Sequence, residues 1–528
     1  MSDAREHSKF AAIFAAGTLF SRILGLLRDL VWVALIPAAS LDAFLVAFRF
    51  PNMLREIFGE GASNAAFVPT FTEALTHESK EEFRELVSAV MSAMLLILGA
   101  MTALGILLLP TIVDSLTFLD RFVEKGPVSP DKIALITQLS LWTFPYLFMI
   151  CMAIFCMAPL YTLKHYVTPS WTPALLNVAI IFSCLAFRHS FDEPAYALVL
   201  GVWLGGMAQM VIQYLALAKY AGVWVPNFKL GHPGIRSILW LLLPVLLGQA
   251  AGEVNRAIDI LFAAAIPEEG TVRSLFLANR LVQLPLSVFA VATSVAILPS
   301  LSRSGALGRN DEIRATLMQG LRQSFFLVFP ATLGLIILGR PIISLLFQHG
   351  EFGVADVNRT ATALSIYAAG LLAFAWVKVS VSGFYAVKNT RTPVIIASGC
   401  MVFNIILNFV LVGPLGYQGL ALSTTLSFSL NCLFLYAFLS LQFGSLWDAA
   451  YLTGLGRMTI ASILMAVVAL GAYRIVLGFF SDDGTVARLV VVVVPLLLAA
   501  GSYAMFSRSL DIPEYENFRS LIRRNKTT

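Results

Sequence analysis

Charged residues are scarce in this sequence. Only 13% of the 528 residues are Asp, Glu, Lys or Arg, whereas 58% are hydrophobic. A soluble globular protein has about a quarter of its residues charged, so this chain has too few polar side chains to cover a water-soluble body of its size. Apolar stretches run almost end to end and leave no room for a sizeable soluble domain. The composition therefore predicts an all-α integral membrane protein.

Cysteine and histidine are also few. The five cysteines all lie in apolar stretches without a CxxC pair, and the six histidines are scattered. This pattern argues against disulfides and metal sites. A membrane-bound glycosyl- or phosphotransferase would need clustered acids for a metal, but the sequence has no D-x-D, and Asp482-Asp483 is an isolated pair in a short loop. We therefore expect a transporter without enzymatic activity, metal or bound cofactor.

The apolar runs are long enough to cross a bilayer, since one span needs about 20 mostly apolar residues. No small-residue cleavage site follows the first run, which we interpret as a retained span rather than a signal peptide. About fourteen spans are predicted, at residues 8–36, 41–72, 84–113, 132–160, 169–187, 195–219, 235–266, 272–301, 314–339, 356–387, 393–413, 418–442, 452–479 and 486–507.

The connections between spans differ in their content of Lys and Arg. These residues concentrate on one side, which predicts that both termini are cytoplasmic. The tail at 508–528 belongs to that side and carries a basic cluster that includes Arg519, Arg523 and Arg524. Such a cluster suits anionic lipid, and the net charge of +5 does not require a nucleic acid as partner.

Two segments of the chain repeat. The pattern Y-x-x-K-x-x-x-T-P occurs at 161–169 and again at 385–393, and Ala47-Phe-Arg49 is echoed by Ala278-Asn-Arg280. An even number of spans separates the copies, so they share one orientation and form parallel repeats. Transporters often place the substrate between such repeats. We predict two six-helix lobes, at 8–222 and 232–443, followed by two extra helices at 452–507.

Several of the predicted spans contain charged side chains. A charge at mid-bilayer costs about 3 kcal/mol or more, so these residues should face a bundle interior or a watery cavity. Arginine donates several hydrogen bonds to phosphate oxygens and stays charged, which favours a polyanionic substrate such as a diphosphate over a cationic drug. The charged residues are Arg22, Arg28, Asp29, Asp42, Arg49, Arg55, Glu56, Glu60, Glu253, Arg256, Asp259, Arg280 and Lys378.

Some of these charges have structural interpretations. Asp29 lies two helical turns after Arg22 and could pair with it. Glu253, Arg256 and Asp259 are spaced so that they could satisfy one another. No local carboxylate is obvious for the four arginines at positions 22, 28, 55 and 280. We take those four as candidates for binding the substrate, with Arg49, Asn52, Glu253, Arg256 and Lys378 as secondary candidates.

An ion site is a further hypothesis. Asn404 and Asn408 lie one turn apart on an apolar helix, with Thr424 or Thr425 on the next helix, and Asp259 could supply charge. Oxygen ligands of this kind suit sodium. Two amides can equally serve as hydrogen-bonding contacts between helices, and we favour that interpretation.

The same charged region carries a family resemblance. Thr18-Leu-Phe-Ser-Arg-Ile-Leu-Gly-Leu-Leu-Arg-Asp29, Asp42-Ala-Phe44 and the segment from Pro51 to Pro69 resemble the opening of the MurJ (MviN) lipid II flippases, and Gly383-Phe-Tyr-Ala-Val-Lys388 resembles their second half. The resemblance spans roughly residues 8 to 440. It implies the fold of the MOP transporters, which include the MATE exporters, with two lobes around a cationic cavity.

The resemblance also implies functions for particular residues. The four candidate arginines fall at the family's essential arginine positions, Asp42 and Glu60 match its acidic positions, and Asp29 joins them as a gating candidate. The helices at 452–507 would hold the undecaprenyl tail. Asn279 and Gln283 stand where some relatives carry acids, which puts acid-dependent gating by that helix in doubt.

The implied activity is movement of lipid II from the cytoplasmic to the outer leaflet of a bacterial inner membrane by alternating access. Alternatives are an O-antigen-type lipid-oligosaccharide flippase or a drug/cation antiporter. Membrane lipids are expected partners, and the peptidoglycan-synthesis machinery is a candidate partner. The driving force stays open between sodium, protons and the membrane potential, and the oligomeric state is also open.

Overall fold

The computed structural model describes residues 2–61, 66–77, 79–123, 126–229, 231–480 and 484–524. Within these ranges, all regular secondary structure is helical. The chain forms two compact units, one of Met1–Arg273 with His349–Glu351, and one of Ser274–Gln348 with Phe352–Thr528. The division falls inside a helix that begins at Thr271.

The first unit is a bundle in which long apolar helices pack through small residues. Gly201 and Gly205 lie one turn apart, where an added methyl group would collide with the backbone of Ile180 and Leu176. Such small-residue stripes let membrane helices approach closely. The helices are α1 (Ser2–Leu35), α2 (Ala38–Arg55), α3 (Val68–His77), α4 (Lys80–Asp114), α5 (Leu116–Leu119), α6 (Pro130–Thr143), α7 (Tyr146–Thr162), α8 (Val167–Trp171), α9 (Pro173–Phe187), α10 (Ala195–Ala221) and α11 (Pro233–Ala265).

The second unit is built in the same way. Its largest apolar core contains Leu317, Leu321, Phe384 and Leu439, all nearly inaccessible to solvent. The helices are α12 (Thr271–Pro285), α13 (Ala292–Ala306), α14 (Asn310–Phe347), α15 (Val354–Ala369), α16 (Leu371–Ala386), α17 (Arg391–Leu415), α18 (Tyr417–Phe443), α19 (Ala449–Phe479), α20 (Thr485–Ser509) and α21 (Pro513–Arg524).

The described residues contain 10 helices that are long and apolar enough to cross a membrane, or 11 if α15 and α16, which meet at a 42° bend, form one span. Three further helices, α1, α2 and α11, cover the predicted spans that carry most of the charges. Each predicted span overlaps one or more helices of the described residues, and the all-helical, multi-span fold is confirmed.

The lobes predicted from the repeat and the compact units differ in one helix. The first unit extends to Arg273 and therefore includes α11, whereas the repeat assigns residues 232–443 to the second lobe. In this structure α11 packs against α2 and the turn that follows it, and Glu253 of α11 bonds to Arg49 of α2. The lobe boundaries stay a prediction, as does the separate assignment of 452–507.

The sequence repeat is matched in local structure. At the end of α7, the backbone N–H groups of Lys164 and His165 donate to the carbonyls of Tyr161 and Leu160. At the end of α16, Lys388 and Asn389 donate in the same way to Tyr385 and Phe384. In each unit the residue after the lysine then bonds to the threonine of the motif, His165 to Thr168 and Asn389 to Thr392.

The second sequence echo also corresponds to a structural feature. A π-helical turn, Glu56–Gly61, directly follows α2, and another, Leu286–Val291, directly follows α12. These turns stand seven and six residues after Arg49 and Arg280, the arginines that the echo aligns. π-Helical turns are rare and often occur at functional sites, so the chain repeats an unusual feature close to its charged residues.

The predicted orientation can be tested with single cysteines. Lys80 and Ser445 lie on the predicted cytoplasmic side and Asp192 on the opposite side, and all three are exposed. We expect an impermeant thiol reagent added to intact cells to label a cysteine at 192 and spare those at 80 and 445. The five native cysteines are buried and should give little background. The reverse labelling pattern would contradict cytoplasmic termini.

Candidate functional site

Arg28 lies in a well-defined polar site within the first unit. Its guanidinium donates to Asp29 Oδ1 at 3.1 and 2.7 Å and to Asn177 Oδ1 of α9 at 3.1 Å. The same group lies over the ring of Trp32, 4.3 Å from its centroid. The side chain of Arg28 is only 12% exposed and that of Asp29 is fully buried.

This arrangement corrects two expectations. Asp29 bonds to its neighbour Arg28 rather than to Arg22, and Arg28 does have a local carboxylate. Adjacent helical residues normally point in different directions, so sequence spacing alone disfavoured the pair. Contact with Trp32 and with Asn177 holds the guanidinium of Arg28 back along the helix, within reach of Asp29.

Arg22 differs from Arg28. It lies on α1 and is exposed, and within the described residues it makes no hydrogen bond or ion pair. The backbone carbonyl of the preceding residue, Ser21, accepts a hydrogen bond from the Asn177 side chain at 3.1 Å. Of the four candidate arginines, Arg22 is therefore the one whose hydrogen-bonding capacity is least used by this chain.

A second site, which we name the α2–α11 charge cluster, consists of Arg49, Asn52, Arg55, Glu56, Glu253 and Arg256. Arg49 donates to Glu253 Oε2 at 2.6 Å and lies 3.9 Å from Glu56 Oε1. Arg256 also bonds to both carboxylates, to Glu56 at 3.2 Å and to Glu253. Both acids thus contact arginines from two helices.

Arg55 enters the same cluster from the end of α2. Its Nε donates to Asn52 Oδ1 at 2.9 Å, and Asn52 donates to Glu56 Oε1 at 2.8 Å. The guanidinium of Arg55 lies 3.6 Å from that same oxygen. The expectation that Arg55 lacks a local carboxylate is therefore wrong. The chain widens into the π-helical turn at Glu56, and this changes the direction of its side chain relative to a regular helix.

The cluster carries three guanidinium groups and two carboxylates, so it has an excess positive charge. Glu253 is 3% exposed, whereas Arg256 is 56% exposed. A buried acid thus anchors arginines that extend towards an accessible surface. The predicted pairing of Glu253 with Arg256 is confirmed. Glu56 is the central carboxylate of the cluster, although it was not among the site residues predicted from the sequence. Its position one helical turn after Asn52, a predicted secondary candidate, is the sequence feature that could have identified it.

Asp42 lies elsewhere in the first unit. Its carboxylate accepts hydrogen bonds from the backbone N–H groups of Arg273 at 2.7 Å and Val272 at 3.4 Å. It therefore caps the first turn of α12, as an acid at a helix N-terminus commonly does. In this structure Asp42 contacts that turn rather than any of the four candidate arginines. The side chain of Glu60, its proposed companion, falls outside the part that the structure describes.

The second unit contains the remaining candidates. Arg280 is half-buried on α12. Asn279 and Gln283 are exposed on the same helix, and the Gln283 amide donates to Asn279 Oδ1 at 3.4 Å. Lys378 is exposed on α16, and its backbone carbonyl accepts from Ser294 at 2.9 Å.

The amides of the ion-site hypothesis are hydrogen-bonded to each other. Asn408 donates to Asn404 Oδ1 at 3.2 Å, and Ser423 of α18 donates to Asn408 Oδ1. Both amides are almost completely buried. Thr424 donates to the Leu420 carbonyl of its own helix at 3.0 Å. In the first unit, Asp259 accepts from Asn255 at 3.5 Å. Groups of three or more possible metal ligands among His, Cys, Asp and Glu are absent from the described residues.

The arrangement of Asn404, Asn408 and Ser423 leads to a prediction about sodium. Because both amide oxygens already accept hydrogen bonds, one within α17 and one from Ser423 of α18, we expect transport to be unchanged when sodium is replaced by choline. Asn408→Leu should lower the thermal stability of the purified protein, since the buried hydrogen bonds from Ser423 of α18 and to Asn404 are both lost. Transport that stops without sodium and fails in Asn404→Ala would instead support the ion site.

Comparison with known proteins agrees with the geometry. A family profile described as "Lipid II flippase MurJ" matches residues 34–491. A probable lipid II flippase MurJ of Vibrio cholerae is 36% identical over 439 residues, which is 82% of this chain and 83% of the relative. Its counterpart in Bdellovibrio bacteriovorus is 31% identical over 504 residues, covering 95% of this chain and 94% of the relative.

Solved structures give the same result. A lipid II flippase MurJ in an inward closed conformation matches with a TM-score of 0.75 and 26% identity, over 94% of this chain and 99% of that structure. An inward-facing multidrug-resistance MATE transporter of the MOP superfamily matches with a TM-score of 0.65 and 15% identity, over 83% and 98% respectively. The second likeness concerns the fold alone. By its sequence profile and its relatives, the chain belongs to the MurJ lipid II flippase family.

Proposed function

We propose that this protein is a lipid II flippase of the bacterial cytoplasmic membrane, a transporter rather than an enzyme. It would carry the undecaprenyl-diphosphate-linked peptidoglycan precursor from the cytoplasmic to the outer leaflet. The observation that carries the proposal is a family match over residues 34–491 in a chain whose charged span residues form arginine-rich polar sites. The substrate named for the relatives contains a diphosphate, the chemical group that such sites suit.

The arginines supply the chemistry for binding. A guanidinium presents a planar fork of N–H groups that matches phosphate oxygens and remains charged at any physiological pH. The proposed ligands of the diphosphate are Arg22, Arg28, Arg55 and Arg280. Arg49 and Arg256 add to the positive electrostatic potential of the α2–α11 charge cluster. Arg22 and Arg256 are the most accessible of the described group, so we assign them the first contact with the incoming substrate.

The acids keep this binding reversible. A site that bound substrate equally in both states of a transport cycle would shift no equilibrium. Glu56 contacts the arginines at 49, 55 and 256 and can compete with the diphosphate for them. We therefore assign the competing role to Glu56, supported by Glu253, and treat Asp42 as a residue that holds the start of α12. Asp29 keeps Arg28 in place.

The transport step is proposed to be alternating access, in which the site opens first to the cytoplasm and then to the outer side. The diphosphate and sugars would occupy the polar site while the polyprenyl chain stays in lipid, with residues 452–507 beside it. Sodium, protons and the membrane potential remain candidate driving forces. Cytoplasmic termini follow from the distribution of Lys and Arg.

Replacement of an essential flippase tests the proposal. The gene is expressed in a bacterium whose own lipid II flippase can be depleted, and survival is scored after depletion. We expect growth. We also expect newly made lipid II to reach the outer leaflet, measured as the fraction that an externally added lipid II-cleaving toxin can cleave. Lysis despite normal membrane levels of the protein would contradict the assignment and would favour the alternative lipid-oligosaccharide substrates.

A further inference from the structure

Lys164 and Lys388 share an unusual backbone. Each has a φ of 59°, and with Asp511 they are the described non-glycine residues with positive φ. They occupy the same place in the two copies of the repeated motif, at the ends of α7 and α16. Glycine is the usual residue at such a left-handed position after a helix, sometimes replaced by Asn, because a Cβ there is sterically unfavourable.

The conformation itself does not explain the choice of lysine. The carbonyls at the two helix ends accept hydrogen bonds from backbone N–H groups, those of Lys164 and His165 in one copy and of Lys388 and Asn389 in the other. Glycine would supply the same N–H groups without the steric cost. The repeat therefore retains a less favourable residue twice, which points to a role for its side chain.

Neither lysine side chain is engaged by the protein. Both residues are exposed, and neither side chain takes part in a hydrogen bond or ion pair within the described part of the chain. By contrast Lys229, another exposed lysine, pairs with Glu85 at 2.6 Å. A role in stabilising the fold through a specific contact is therefore absent for Lys164 and Lys388 among the described residues.

The surroundings place both lysines at the edge of the lipid-facing surface. In the first unit, Val167 and Trp171 are 49% and 41% exposed just after Lys164. In the second unit, Val394 and Ile395 are 48% and 69% exposed just after Lys388. Exposed apolar residues at a helix start in a membrane protein face lipid, and a lysine one turn outside them lies at the level of the head groups.

We propose that Lys164 and Lys388 form a pair of equivalent binding sites for the phosphate head groups of anionic phospholipids, one on each copy of the repeat. The sites face the leaflet on the predicted cytoplasmic side. Their ligand is a membrane phospholipid, and the sites do not depend on lipid II.

Glycine variants test the proposal because the two explanations predict different outcomes. Lys164→Gly, Lys388→Gly and the double variant are reconstituted in phosphatidylcholine vesicles that contain spin-labelled phosphatidylglycerol, and lipid selectivity is measured by electron spin resonance. Each glycine should raise Tm, because it relieves an unfavourable backbone conformation. Each should also weaken phosphatidylglycerol association at its site, by about fivefold if one lysine contributes as basic residues near anionic membranes do.

Three controls make the result decisive. Lys229→Gln removes an exposed lysine on the same predicted side that already pairs with Glu85, and should change selectivity little. The double Arg variant keeps the charge and should keep selectivity. Inorganic phosphate added to the buffer should not displace the labelled lipid; displacement would assign the sites to a soluble phosphate compound and overturn the lipid proposal. Unchanged selectivity in the glycine variants, a lower Tm, or an equal loss in Lys229→Gln would also overturn it.

Discussion

Arg55→Ala is expected to abolish survival in the flippase-replacement assay while the amount of protein in the membrane stays normal. Arg55 is about a quarter exposed and its polar contacts include Asn52 and Glu56. Its loss leaves Glu56 still paired with Arg49 and Arg256. The fold should therefore survive. The proposed diphosphate site, however, loses a fork of N–H donors that no other residue replaces.

The same result is expected for Arg22→Ala and Arg280→Ala. Lys at these positions should rescue poorly, since an ammonium group is a point charge and loses the bidentate geometry that guanidinium offers to phosphate. Arg309→Ala is a suitable control, because Arg309 is 58% exposed and pairs only with Glu312 among the described acids. Growth of all the Ala variants at normal expression would show that the arginines are structural and that the proposed diphosphate site is wrong.

Much of the site was predictable from the sequence because charge inside an apolar span is so rarely tolerated. The inventory of charges included the Arg28–Asp29 pair and every arginine and acid of the α2–α11 charge cluster, but it missed the Arg322–Glu514 pair. The inventory did not predict which arginine pairs with which acid. Arg28 with Asp29 and Arg55 with Glu56 are neighbours along the chain, and helical periodicity separates neighbours on the surface. A cation–π contact in one case and a π-helical turn in the other brought them together.

The fold was more predictable than the contacts. Apolar length located the long helices, since a membrane span must satisfy its backbone hydrogen bonds internally, but it did not predict the short α5 or the polar α21. Asp42 illustrates the limit: its burial was foreseen, but its use as a cap for the first turn of α12 depends on a contact across more than two hundred residues. The repeat, in contrast, predicted local structure well, because the same short motif folds into the same turn at Lys164 and at Lys388.

Among the variants proposed for this protein, Asp29→Ala should lower the free energy of unfolding the most. It leaves the guanidinium of Arg28, only 12% exposed, without the carboxylate that accepts two of its hydrogen bonds. Removing one partner of a buried ion pair typically costs about 3–5 kcal/mol, because the remaining charge is uncompensated. We expect a lower Tm in detergent and less protein in the membrane. Asp29→Asn keeps an oxygen acceptor and should lose less.

A double variant separates this structural effect from transport. Removing both charges, in Arg28→Met with Asp29→Ala, takes away the uncompensated ion and should recover much of the lost Tm, since buried ion pairs are often replaceable by apolar residues without loss of stability. If Arg28 also binds the diphosphate, the recovered protein should still fail to support growth. Growth of the stable double variant would show that Arg28 is needed only to balance Asp29, and the proposed site would then rest on Arg22, Arg55 and Arg280.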